Sequence, residues 1–255
     1  MNIVIVIGHI FAIAIGLSLG LIGGGGSVLA VPIFIYVMGI GTKEAIAMSL
    51  IIVGTVSLIG VIPHWRKGNI NFKTAFIFTP SAMLGSFLGA KITGLSFITD
   101  NLQLICFAII AILASSLMIL KGRRKKCDRN KIKTSNKYNY RAIIIPGLGV
   151  GILTGFVGVG GGFLIVPALV LLANLPIKEA IGTSLLIIAF NSASGFLGYL
   201  DRVNLNWYLM VSLTFAAGFG TILGAYLNKF IDCKQLEKSF GYFVLAVAVF
   251  VLIKR

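Results

Sequence analysis

The residues of this chain best placed to do chemistry sit in two glycine-rich stretches, Gly23-Gly24-Gly25-Gly26-Ser27 and Gly158-Val159-Gly160-Gly161-Gly162. Each glycine costs roughly 1 kcal/mol against alanine inside a helix, so neither stretch is expected to continue one. Both are embedded in apolar sequence: Ile3 to Ile22 and Val28 to Ile40 flank the first, Ala142 to Val157 and Phe163 to Ala173 the second. In hydrocarbon every freed N–H and C=O needs a partner, so such a break must face protein or water. A helix restarting at Ser27, behind a capping hydroxyl, would aim unpaired N–H groups and the positive end of its dipole into that space, which is anion-binding chemistry. A nucleotide reading fails, because no Gly-Lys-Ser/Thr follows either cluster and no strand precedes Gly158.

Polar residues in the third apolar element of each half are the second candidate set: Ser49, Thr55 and Ser57, then Thr183, Ser184, Asn191, Ser192 and Ser194. Offsets of seven and eight residues are two helical turns, so Ser184, Asn191 and Ser192 share a side, as do Ser49 and Ser57. Two readings stay open: hydroxyls that satisfy their own helix and glue helices together, or a hydrogen-bonding shell for a small oxyanion, in which Asn191 is the strongest single donor. The candidate substrate-binding set is therefore Gly23, Gly24, Gly25, Gly26, Ser27, Ser49, Ser57, Gly158, Gly160, Gly161, Gly162, Ser184, Asn191 and Ser192. Gly16-x3-Gly20, Gly85-x3-Gly89 and Gly220-x3-Gly224 are small-residue spacings for close helix packing.

Other chemistries lack their parts. An intramembrane enzyme needs a nucleophile facing a base, yet the chain has two histidines, His9 in the first apolar run and His64 in an expected loop, and no acid inside any apolar run. No catalytic residue is assigned. Cys106, Cys127 and Cys233 show no metal-site or disulfide spacing, and neither a metal nor a cofactor is expected. Lys91 reads as a snorkelling lysine; Lys43-Glu44 and Lys178-Glu179 read as helix-start charge or as a gate for the substrate.

Of the 255 residues, 58% are hydrophobic and only 11% charged, with a mean hydropathy of +1.01. Soluble domains carry about 25% charge, so an all-α polytopic membrane protein is expected. The formal net charge of +15 suggests nucleic acid until its placement is read: ten Lys or Arg and one acid lie between Lys121 and Arg141. That is a cytoplasmic topology determinant in contact with anionic headgroups, and no nucleic-acid partner is expected. The N-terminus lacks the charged n-region and cleavage site of a signal peptide and is kept in the fold.

Shifting the sequence by 135 positions lays residues 16–92 on 151–227 without a gap. Gly16, Gly20, Gly23, Gly25, Gly26, Pro32, Lys43-Glu44-Ala45-Ile46, Ser49, Ser57 and Gly60 all meet their own kind. The expected architecture is two inverted five-element repeats, each a glycine-broken helical hairpin plus three transmembrane helices. Repeat one is 1–120 (hairpin 3–40, helices 44–62, 74–97 and 102–120), then a basic loop 121–141, and repeat two is 142–255 (hairpin 142–175, helices 179–200, 207–228 and 238–253). The inversion follows from the loops: 64–73 and 121–141 are basic and face the cytoplasm, while Asp201 to Asn204 carries no net charge and faces outward. Pro32 and Pro167 are expected in the first turns after the breaks.

The strings GLIGGGGSVLAVP and GFVGVGGGFLIVPAL, followed by KEAIAMSL and KEAIGTSL, resemble the sulfite exporter TauE/SafE family over nearly the whole chain outside the basic loop. The resemblance implies a cell-membrane permease for small anions, often sulfur-containing ones such as sulfite or organosulfonates. It carries the family's motif onto Gly23 to Gly26, Ser27, Pro32, Gly158, Gly160 to Gly162, Pro167 and Ser184. The chain departs from internal symmetry where Val159 stands against Gly24 and Gly162 against Ser27. The expected function is a secondary transporter, exporting by alternating access; a passive anion channel, or a permease for a non-sulfur organic anion, are the alternatives, and a homodimer is compatible with both.

Overall fold

The computed structural model describes residues 2–93, 99–122, 141–157, 161–173, 175–199, 203 and 205–254. These form ten α-helices: α1 (Asn2–Ile22), α2 (Gly25–Tyr36), α3 (Thr42–Arg66), α4 (Phe72–Ile92), α5 (Asp100–Gly122), α6 (Arg141–Val157), α7 (Gly162–Leu171), α8 (Ile177–Tyr199), α9 (Trp207–Leu227) and α10 (Cys233–Lys254). The basic loop, the tip 94–98 and Gly158 and Gly160 fall outside the described residues. Five helices, α1, α3, α4, α8 and α9, are long and apolar enough to cross a membrane. By contrast α2 and α7 have 12 and 10 residues. At 1.5 Å per residue they are about 18 and 15 Å long, short of a hydrocarbon core of about 30 Å.

Local chemistry explains the helix starts. Asn71 and Asn206, one offset of 135 apart, are the N-caps of α4 and α9, and their side chains accept from the N–H of Thr74 and Leu209 at 3.0 and 3.1 Å. Glu44 and Glu179 lie in the first turns of α3 and α8, where a negative charge complements the dipole.

The two halves of the sequence interlock. Helix α1 packs along α9, and α4 along α6, through glycines that let backbones touch. Gly16 and Gly20 lie against Ala217 and Thr221, and Gly220 and Gly224 against Ile13 and Leu17. In the other pair Gly151 and Gly155 lie against Ala82 and Ser86, and Gly85 and Gly89 against Leu148 and Ile152. Adding 135 to the α1 residues and subtracting it from the α9 residues turns the first set into the second. At the centre Leu50, Gly54 and Gly60 of α3 meet Gly195, Ser192 and Leu185 of α8 in that order, so these helices run antiparallel and cross near their middles. Met38 touches Gly8, and Gly26 touches Ile15, which folds α2 back along α1 as a hairpin.

Three local expectations are corrected. The second half-helix begins at Gly25, not Ser27: a glycine is tolerated in a first turn, where backbone N–H groups have no intrahelical acceptor anyway. Pro32 and Pro167 stand inside α2 and α7, beyond the first turn, where proline removes the bond to the fourth residue back. Their tolerated place is a short helix, Pro32 being buried against neighbours that hold it. Finally, α3 continues to Arg66 and carries His64 inside the helix, fully buried, rather than in a loop.

Candidate functional site

Where α1 ends, Gly23 takes φ +79°, and ahead of α7 Gly161 takes φ +84°, a left-handed conformation that a side chain would strain. These turns let α2 and α7 start at the same place. Gly24, the N-cap of α2, lies on Gly162, the first residue of α7: a Cβ on Gly162 would stand 2.6 Å from the Gly24 Cα. The same Cβ would stand 2.9 Å from Ile188 Cδ1, and Ile188 is the central residue of α8. The breaks therefore meet at mid-height of a helix of spanning length. Neither N-terminus has a side-chain cap, so two positive dipole ends converge in a buried place.

The expected site residues separate into groups. Gly23, Gly24, Gly25, Gly26, Ser27, Gly161 and Gly162 are all buried at the junction. Ser27 is not a cap: its hydroxyl donates to the Gly24 carbonyl at 2.7 Å. Ser184 lies beside Gly23, and Asn191 beside Gly161, where its Nδ2 donates to Thr154 Oγ1 at 3.1 Å. Ser49 and Ser184 each donate to the carbonyl three residues back, Ile46 and Ile181, at 2.8 Å. Ser57 and Ser192, again 135 apart, are fully buried on α3 and α8, and neither hydroxyl has a hydrogen-bond partner among the described residues. Ser194 instead joins α8 to α4 by donating to the Met83 carbonyl at 2.8 Å, and Thr55 is exposed. His9 faces the Ile5 carbonyl one turn back.

Sequence reasoning missed Thr154, His64, Gln103 and Tyr199. Thr154 lies opposite Leu19 under the repeat, and His64 opposite Tyr199, so identity matching passed over both. An apolar groove of about 340 Å³ lies away from the junction, between α3 and α9, walled by Ile59, Ile62 and Ile222 and ended by Arg66 and Lys67. Lys67 Nζ donates to the Ala225 carbonyl at 2.6 Å, and partial burial, then Lys229 and Lys178, hold its pKa below the ordinary lysine range.

An all-helical chain with five apolar helices of spanning length, folded around two broken helices whose N-termini meet, is a multi-pass membrane protein of transporter type. Its sequence matches the family model described as Sulfite exporter TauE/SafE over residues 9–252, and the chain belongs to that family. It is 32% identical over 247 residues to a probable membrane transporter protein of Xylella fastidiosa (strain Temecula1), covering 93% of this chain and 91% of the relative. It is 30% identical over 242 residues to the probable membrane transporter protein YdhB of Bacillus subtilis, covering 94% and 96%. No solved structure matches it.

Proposed function

We propose that this protein is a secondary transporter of the cell membrane that moves a small oxyanion, of the class of sulfite or an organosulfonate, outward by alternating access. The observation that carries this is the contact of Gly24 with Gly162, which brings two uncapped helix N-termini together at the middle of the bundle. An anion there would take backbone N–H groups from both half-helices as they part, with the hydroxyls of Ser57 and Ser192 and the carboxamide of Asn191 completing the shell. Sulfite is the family's description, brought to this chain as a proposal.

The transport mode rests on an inverted repeat. Supporting it are the antiparallel run of α3 and α8, counterparts at an offset of 135, and the exchange of the eight seam-glycine contacts named above between the α1–α9 and α4–α6 pairs under the same shift. Two copies facing opposite ways offer two conformations of equal kind, one open to each side.

Purified protein in liposomes, assayed for flux of radiolabelled sulfite, sulfonates and acetate, tests the reading. Saturable uptake of one oxyanion is expected. Asn191→Ala is expected to weaken apparent affinity roughly 10-fold or more, the size of a lost hydrogen bond to a charged group. No flux of any anion would sink the reading, and single-channel currents without saturation would replace it by a pore.

A further inference from the structure

A broken helix leaves its last carbonyls without partners, and in this protein those of α1 and α6 are capped by side chains from elsewhere in the bundle. On α1, the Gly23 N–H takes the Leu19 carbonyl at 2.7 Å, His64 Nε2 lies 3.2 Å from the Gly20 carbonyl, and Asn228 Nδ2 donates to the Leu21 carbonyl. A carbonyl only accepts, so Nε2 carries the proton; Nδ1 has no hydrogen-bond partner among the described residues. On α6, Tyr199 Oη shares its single proton between the carbonyls of Gly155 and Phe156, 3.2 and 3.3 Å away, and Gln103 Nε2 donates to that of Phe156 at 2.8 Å.

Under the shift of 135, His64 falls on Tyr199, Gly20 on Gly155 and Leu21 on Phe156. Two different side chains thus do one job at equivalent positions, three residues before each glycine cluster. His64 is near the end of α3 and Tyr199 is the last residue of α8; the antiparallel run of those helices puts them at opposite ends of the bundle. Both are buried, His64 fully and Tyr199 at 1% exposure. Neither hairpin can shift against α3 or α8 without giving up its cap.

We propose that these caps are the two latches of the transport cycle: His64 with Asn228 closes the first break toward one face, and Tyr199 with Gln103 closes the second toward the other. This rests on the alternating-access reading above and names the positioning residues that carry it. In the structure both latches are engaged.

Side-selective labelling tests this without needing a substrate. In full-length protein with Cys106, Cys127 and Cys233 replaced by serine and reconstituted in liposomes, single cysteines at Ser184, beside Gly23, and at Ser49, its counterpart, are reacted with a membrane-impermeant maleimide. His64→Ala is expected to speed labelling of Ser184→Cys roughly 2- to 10-fold, the shift from one hydrogen bond of ordinary net strength, and to leave Ser49→Cys unchanged. Tyr199→Phe is expected to do the reverse. His64→Gln, which keeps an N–H near the Nε2 position, is expected to restore the slow rate. If His64→Ala or Tyr199→Phe is not monodisperse in detergent, Asn228→Ala and Gln103→Ala probe the same latches from their other members. Unchanged labelling in the folded variants, or opening of the same face by both, overturns the proposal. Side-selective labelling without flux of any anion would leave the latches standing and remove the cargo; flux without it would do the opposite.

Discussion

Individual glycines in this chain serve different physical ends, and substitution separates them. A methyl on Gly24 would run into the Gly162 carbonyl, and two backbones cannot yield as a side chain can; overpacking of that kind costs about 1–3 kcal/mol or more. Gly39 has φ +68° with nothing within 4 Å of a Cβ, so alanine there meets only the left-handed strain of about 1–2 kcal/mol. At Gly149, helical and equally open, alanine removes backbone entropy and should stabilise by about 1 kcal/mol. Thermal unfolding in detergent is expected to rank Gly149→Ala above wild type, Gly39→Ala slightly below and Gly24→Ala lowest; a harmless Gly24→Ala would mean the two breaks do not touch. Among the serines, Ser57 and Ser192 are distinguished from Ser49 and Ser184 because their hydroxyls are not spent on their own helix. Ser57→Ala and Ser192→Ala are accordingly expected to lower flux at unchanged thermal stability, whereas Ser49→Ala is expected to move neither strongly.

At the scale of elements, the caps and the glycine seams decide. Asn71→Ala and Asn206→Ala each remove a side-chain acceptor from a helix start and are expected to cost about 1 kcal/mol, read as equal falls in melting temperature. Gly220→Leu is a stronger test, because Gly220 lies on the Ile13 backbone and its counterpart Gly85 on that of Leu148. Without the hydrophobic effect between helices in lipid, close van der Waals contact is what joins α1 to α9. Separation of these helices, measured as loss of a cross-link between cysteines at positions 21 and 228, which face each other across the same seam, is the expected result, with the smaller Gly220→Ala expected to weaken it less. Exposed Trp65 packs edge-on with Phe72 at 6.3 Å where α3 ends and α4 begins, an aromatic pair of the kind enriched at membrane interfaces.

For the whole molecule, the prediction is topological. Reporters placed at Gly68 and at Val203 are expected on opposite faces of the membrane, with Gly68 in the cytoplasm. Finding both on one face would rule out the inverted reading. The interlocking also bears on which bodies move. Because α1 rides on α9 and α6 on α4, a swing of one sequence half against the other would tear both seams, whereas hairpins sliding with their seam partners against α3 and α8 would give up the caps of His64 and Tyr199 and the few hydrogen bonds that tie α8 to α4 and α6 and Lys67 to Ala225, while Asn228, at the end of α9, would keep its hold on Leu21.

Composition and spacing were sufficient for the class and for an all-helical chain with apolar helices of spanning length, because apolar run length acts locally and carries its physics with it. The repeat was legible too, since Pro32, Lys43-Glu44 and the seam glycines recur at one offset. What the sequence could not show is that Gly24 lands on Gly162, that Ser27 turns inward to a carbonyl, or that His64 is a buried cap rather than a loop residue. Those depend on which surfaces meet across the bundle. Close packing over long sequence separation is decided by the shapes of both partners at once, and no window of a single chain contains both.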